Sequence, residues 1–123
     1  MAPGPRHEHW TLTVRTDGSV DRQRFEDLER AFGALGSRLA ELASAAAANP
    51  AGTRLRRYAP AEQVVARIEL AGPERRLPTR HAGIDVRGDG STEAYLGRVR
   101  RQALELGPDE DVVAGLRRAI VPP

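Results

Sequence analysis

The sequence predicts an α+β fold: a strand, a long helix, a three-strand antiparallel meander and two C-terminal helices, packed as a two-layer sandwich. Three observations predict it. Apolar residues alternate with period two over 9–15, 63–70 and 80–87, and recur with helical period over 21–47. The connections after residue 52 are also short, which makes consecutive strands antiparallel.

Residues 1–8 contain Pro3, Gly4 and Pro5 and are expected to form a disordered lead, leaving 9–121 as a single domain. From His9 to Arg15 the chain alternates, with Trp10, Leu12 and Val14 on one face, and Asp17-Gly18-Ser19 ends this strand. Over 21–47, Phe25, Leu28, Phe32, Leu35, Leu39, Leu42 and Ala46 recur at spacings of three and four, one stripe along a helix. Asp21 is its expected N-cap, Val20 is expected to pack on Phe25, and Asn49-Pro50 ends it. Its 27 residues would span about 40 Å, against roughly 35 Å for the diameter of a compact chain of this length. Part of the stripe is therefore expected to stay uncovered.

After a linker at 48–52, Arg54 to Tyr58 is a short candidate strand. Gln63 to Leu70 follows, with Val64, Ala66, Ile68 and Leu70 facing one way; a helix over 60–70 is the competing reading. Residues 73–79 are expected as an exposed loop and 80–87 as the next strand, with Ala82, Ile84 and Val86 inward. Gly88-Asp89-Gly90 either closes a hairpin or leads into a helix. Leu96, Val99, Ala103 and Leu106 at helical spacing favour a helix over 92–106. The last helix, 109–120, begins with acids and ends with Arg117-Arg118, both favourable to its dipole.

Composition limits function. With no cysteine there is no disulfide, no thiolate metal site and no thiol nucleophile. No apolar run approaches the ~18 residues of a membrane span, and Met1 to Trp10 lacks the apolar centre of a signal peptide, so a cytoplasmic protein is expected. Every one of the 19 basic residues is Arg, which with abundant Ala, Gly and Pro reads as the coding bias of a GC-rich bacterium. Net charge is only +2, yet 54–101 carries 11 arginines against 6 acids.

The motifs that carry chemistry are few. His7 and His9 share a strand face and His81 could join them around zinc, but no carboxylate is spaced to orient the rings, so no metal is expected. Asp85 to Gly90 fails as a calcium loop because Arg87 and Leu96 stand where oxygen ligands are needed. Arg87-Gly88-Asp89 matches an adhesion tripeptide by chance, and Gly88, Gly90 and Ser91 read as a turn rather than an anion cradle. No nucleophile elbow, HExxH or serine-triad spacing occurs.

The sequence therefore points to binding rather than catalysis, without a cofactor or a membrane. The expected interface is the uncovered stripe of the long helix, Phe32, Leu35, Leu39, Leu42 and Ala46, meeting a second copy of the chain or a larger protein. Its Ala-rich end suits close approach by another helix. The alternative is a nucleic-acid-binding surface built from Arg56, Arg75, Arg76, Arg80, Arg98 and Arg101, with Tyr58 and Tyr95 as its few aromatics. A small enzyme or ligand-binding domain is the further alternative.

Overall fold

Asp17-Gly18 decides the N-terminal third of the chain. In the computed structural model, which describes residues 9–48, 63–74 and 78–120, it closes a hairpin between β1 (His9–Thr16) and β2 (Ser19–Phe25). Thr16 pairs with Ser19, Val14 with Asp21 and Trp10 with Phe25. Aspartate-glycine between two extended runs is a strong hairpin signal, because glycine readily takes the positive φ such turns need; Gly18 has φ 75°. The helix expected over 21–47 thus loses its first quarter to a strand. Its real N-cap is Asp27, whose carboxylate accepts from the Glu29 amide at 2.8 Å, and not Asp21. Val20 lies half exposed on β2 rather than packed on Phe25 as a staple.

Helix α1 (Leu28–Ala48) has 21 residues and is about 31 Å long, no longer than the body it lies on. Ala31, Phe32, Leu35 and Leu39 are buried in the chain's own core, with Leu42 and Ala46 half-buried beside them. Phe25, Leu28, Leu42 and Ala46 of the stripe stay half-buried, so less of it is open than expected. The Ala-rich end has a local use as well. Gly90 sits at φ 89°, and a Cβ there would fall 2.7 Å from the Ala43–Ala47 turn of the helix, at the Ala47 Cβ. Small residues at 43 and 47 let the turn before β5 approach the helix backbone.

Strands β3 (Val64–Glu74) and β4 (Pro78–Arg87) form the centre of the sheet, and 63–70 is a strand and not a helix. Both run further than expected, into the anticipated 73–79 loop. The expected helix over 92–106 is replaced by β5 (Thr92–Leu96), a bend and β6 (Gln102–Ala103). Turn chemistry explains the difference. The Asp89 carboxylate accepts from the Ser91 amide and hydroxyl at 2.9 and 2.6 Å, and the Arg87 amide donates to the Ser91 carbonyl at 2.8 Å. That arrangement reverses the chain instead of capping a helix. Val99, assigned to the stripe of that helix, is 89% exposed.

Helix α2 (Val112–Ile120) ends the described chain, three residues shorter at its start than expected. Asp111 caps it through the Ala114 amide at 2.8 Å. The Glu110 carboxylate accepts from the Gly107 amide and from two nitrogens of Arg118 at 2.7 and 2.9 Å. This pairing holds the Glu110 carboxyl down to about 2. Arg117 pairs with Glu29 and lies 5.2 Å from the centre of the Phe32 ring, tying α2 to α1.

Among the described residues, six antiparallel strands thus form one sheet in the order β2-β1-β3-β4-β5-β6. Trp10, Leu12, Val14, Ala66, Ile68, Leu70, Ala82, Ile84, Val86 and Ala94 point to one side and meet Phe32, Leu35, Leu39, Leu116 and Ile120 from the two helices. The coarse class is α+β as expected, with one C-terminal helix in place of two. The 1–8 lead and the candidate strand 54–58 lie outside the described residues.

Candidate functional site on the open face of the sheet

Alternation fixes what the other side of the sheet carries. Because Leu12, Ile68 and Ile84 point to the helices, Thr11, Thr13 and Arg15 on β1 point away, as do Arg67 and Glu69 on β3 and Asp85 and Arg87 on β4. On β2, Arg24 stands opposite Thr11 and Arg22 opposite Thr13. On β5, Glu93 stands opposite Asp85 and Tyr95 opposite Gly83. Arg101 comes over from the β5–β6 bend, 5.2 Å from the centre of the Tyr95 ring.

Ion pairs cross these strands in a ladder. Arg67 meets Asp85 side-on, with nitrogen–oxygen distances of 2.7 and 3.4 Å. Arg15 meets Glu69 at 2.8 Å, and Arg87 meets Glu93 at 2.7 Å. Arg101 approaches the same Glu69 at 4.0 Å. Asp85 holds the Arg67 guanidinium more firmly charged than usual. Counted over the described residues, the face carries seven arginines (15, 22, 24, 67, 87, 98 and 101) against the carboxylates of Glu69, Asp85 and Glu93. A net +2 chain has segregated a clear positive excess onto one surface.

Tyr95 organises the centre. Its ring lies across Gly83, where any Cβ would strike the phenol, and Arg67 and Arg101 stand 5.9 and 5.2 Å from the ring centre. A cross-strand aromatic commonly compensates a strand glycine in this way. The residue is only 6% exposed, and its buried hydroxyl has no hydrogen-bond partner among the described residues. Burial pushes the phenol up to about 12, so it stays protonated at any physiological pH.

Beside Tyr95 the face dips into a hollow of about 130 Å³, walled by Thr11, Thr13, Arg15, Glu69, His81 and Arg98 and floored by small residues such as Ala71. It opens to solvent.

The residues expected to act separate into two groups. Phe32, Leu35 and Leu39 are consumed inside the chain, and only the half-buried Leu42 and Ala46 reach the surface. Of the arginine set, Arg98 and Arg101 come to the open face, Arg80 lies near the end of β4 opposite Gly72, and Arg56, Arg75 and Arg76 fall outside the described residues. Of the histidines, His9 and His81 stand on β1 and β4 with β3 between them, and His7 is outside the described residues. Sequence reasoning missed Arg15, Arg22 and Arg24, because 21–47 was read as helix and the remaining alternation was used only to find the core. Comparison with protein-family models, with curated proteins and with solved structures finds no match to the chain.

Proposed function

We propose that the chain is a non-catalytic protein-interaction module of the cytoplasm, docking through the arginine-rich open face of its sheet onto an acidic surface of another protein. The observation that carries this reading is the segregation of seven arginines against three carboxylates on the one sheet face that no described helix covers. Arginine is also the cation best suited to an interface, since its planar fork grips carboxylates in pairs and is weakly hydrated.

Two features favour a different protein over the other occupants. Nucleic acid would want aromatic platforms, and the single aromatic on the described face, Tyr95, is already covered by two guanidiniums. A second copy of the chain could extend the sheet along β2, one of its two outer strands among the described residues. Two-fold antiparallel pairing centred on Arg22 sets Arg22 against itself, centring on Asp21 sets two aspartates together, and centring on Gln23 sets Arg22 against Arg24. Like charges placed directly opposite oppose each of these registers.

The test uses a labelled glutamate-rich peptide and a single-stranded oligonucleotide as probes. The peptide is expected to bind with an affinity that falls as salt rises, and the double variant Arg22→Glu/Arg24→Glu to weaken it at least ~tenfold while the far-ultraviolet spectrum is unchanged. Absence of peptide binding at low salt, or tighter binding of the oligonucleotide, would overturn the reading.

A further inference from the structure

The outer edge of β2 carries backbone groups in register with free cations. Asp17-Gly18 is a two-residue loop, so its closing pair, Thr16 and Ser19, exchanges both backbone hydrogen bonds. Antiparallel pairing alternates from there without a register shift, so Ser19, Asp21, Gln23 and Phe25 bond to β1. The N–H and C=O groups of Val20, Arg22 and Arg24 therefore point outward. β2 is one of the two outer strands among the described residues, and every residue from Ser19 to Arg24 is exposed. The other outer strand, β6, spans only Gln102–Ala103.

The same three residues turn their side chains to the open face, Val20 opposite Arg15, Arg22 opposite Thr13 and Arg24 opposite Thr11. Arg15, Arg67 and Arg87 are paired with carboxylates of that face, whereas Arg22 and Arg24 have no ion pair among the described residues. Charged side chains on an edge strand ordinarily deter pairing with another chain. Carboxylates set directly opposite them reverse the sign of that effect.

We propose that β2 receives an extended segment of the partner as an added antiparallel strand with carboxylates at alternate positions. The inference rests on the docking face proposed above and names the kind of segment it takes. Along the incoming segment, an acid stands opposite Arg24, a neutral residue opposite Gln23 and a second acid opposite Arg22. A neutral residue then faces Asp21, where a third acid would meet a like charge, and a β-branched residue faces the half-exposed Val20. Main-chain hydrogen bonds to Val20, Arg22 and Arg24 supply affinity, and the spacing of the acids supplies selectivity.

The probe is a short peptide containing Glu-Thr-Glu-Thr-Val, titrated against the full chain while backbone amide exchange is followed by NMR. Binding is expected to slow exchange at the Val20, Arg22 and Arg24 amides at least ~tenfold, since only these amides of β2 gain a new acceptor. N-methylation of the second glutamate keeps every charge but removes the donor to the Arg22 carbonyl, and is expected to weaken binding at least ~fivefold. N-methylation of the first threonine, whose N–H points away from β2, should be tolerated. The isomer Glu-Glu-Thr-Thr-Val puts its acids on opposite faces of the strand and should bind at least ~threefold more weakly. Binding with exchange unchanged at these three amides, or equal binding of the two N-methylated peptides, would overturn strand addition and leave the docking face intact. Equal binding of the isomer would overturn the alternate spacing of acids. Absence of binding by all four peptides would overturn the docking face and the added strand together.

Discussion

Tyr95 concentrates the physics of the open face in one side chain. Its ring fills the space that Gly83 leaves on the sheet, while its hydroxyl is buried without a partner among the described residues. The two halves of the residue therefore make opposite predictions. In the ligand-free protein, Tyr95→Phe removes an unsatisfied polar atom and should be neutral or stabilising by about 1 kcal/mol in urea unfolding; a loss above that would mean the hydroxyl is bonded. Gly83→Ala drives a methyl into the phenol and should cost about 1–3 kcal/mol. Gly90→Ala combines a positive φ with a collision against α1, and its expected loss of about 1–3 kcal/mol is checked by the same urea midpoint.

At the scale of elements, α1 separates the two uses the sequence allowed for its stripe. Leu39 is 7% exposed in the chain's own core, so Leu39→Glu should unfold the protein, seen as loss of the circular dichroism signal, rather than release a folded monomer from a dimer. Helix α2 carries the acid sensitivity. The Glu110 carboxyl, held near 2 by Arg118 and the Gly107 amide, is expected at about 4.3 in the unfolded chain. A depressed value stabilises the fold above the unfolded value, and that contribution is lost as pH falls from about 5 towards 2. Glu110→Gln should flatten stability over this window in pH-dependent urea titrations; an unchanged slope would contradict the pairing. Reading elements from the sequence worked where a period was long and unopposed: Trp10, Leu12 and Val14, then Ala66, Ile68 and Leu70, then Ala82, Ile84 and Val86 all face the core as alternation predicts. It failed where turn chemistry competed with spacing. Phe25 lies three residues before Leu28, and Leu96 three before Val99, so both pairs mimic a helix. Asp17-Gly18 and Asp89-Gly90 nevertheless close hairpins, because Gly18 and Gly90 take the positive φ that the turns require. The site was legible only in fragments. Arg98, Arg101 and Tyr95 were visible as residues, but the ladder of Arg15, Glu69, Arg67 and Asp85 needs strand order and register, which no local pattern contains.

Viewed as a whole, the molecule turns the apolar residues of its sheet towards the helices and seven of its described arginines to the other side. No helix among the described residues is long and apolar enough to cross a membrane. The positive face belongs to a chain with net charge +2, so the field is local and should be screened within a Debye length, about 8 Å at physiological salt. Binding through it should weaken steeply with added salt, whereas docking through an apolar helix stripe would hold or strengthen. The most direct test is to titrate isotopically labelled protein with the glutamate-rich peptide and follow every backbone amide by two-dimensional NMR. The account predicts that shifts gather at Thr11, Thr13, Arg15, Arg22, Arg24, Glu69, His81 and Tyr95. Shifts gathering instead around Leu42 and Ala46 on α1, with those strand amides unmoved, would contradict it.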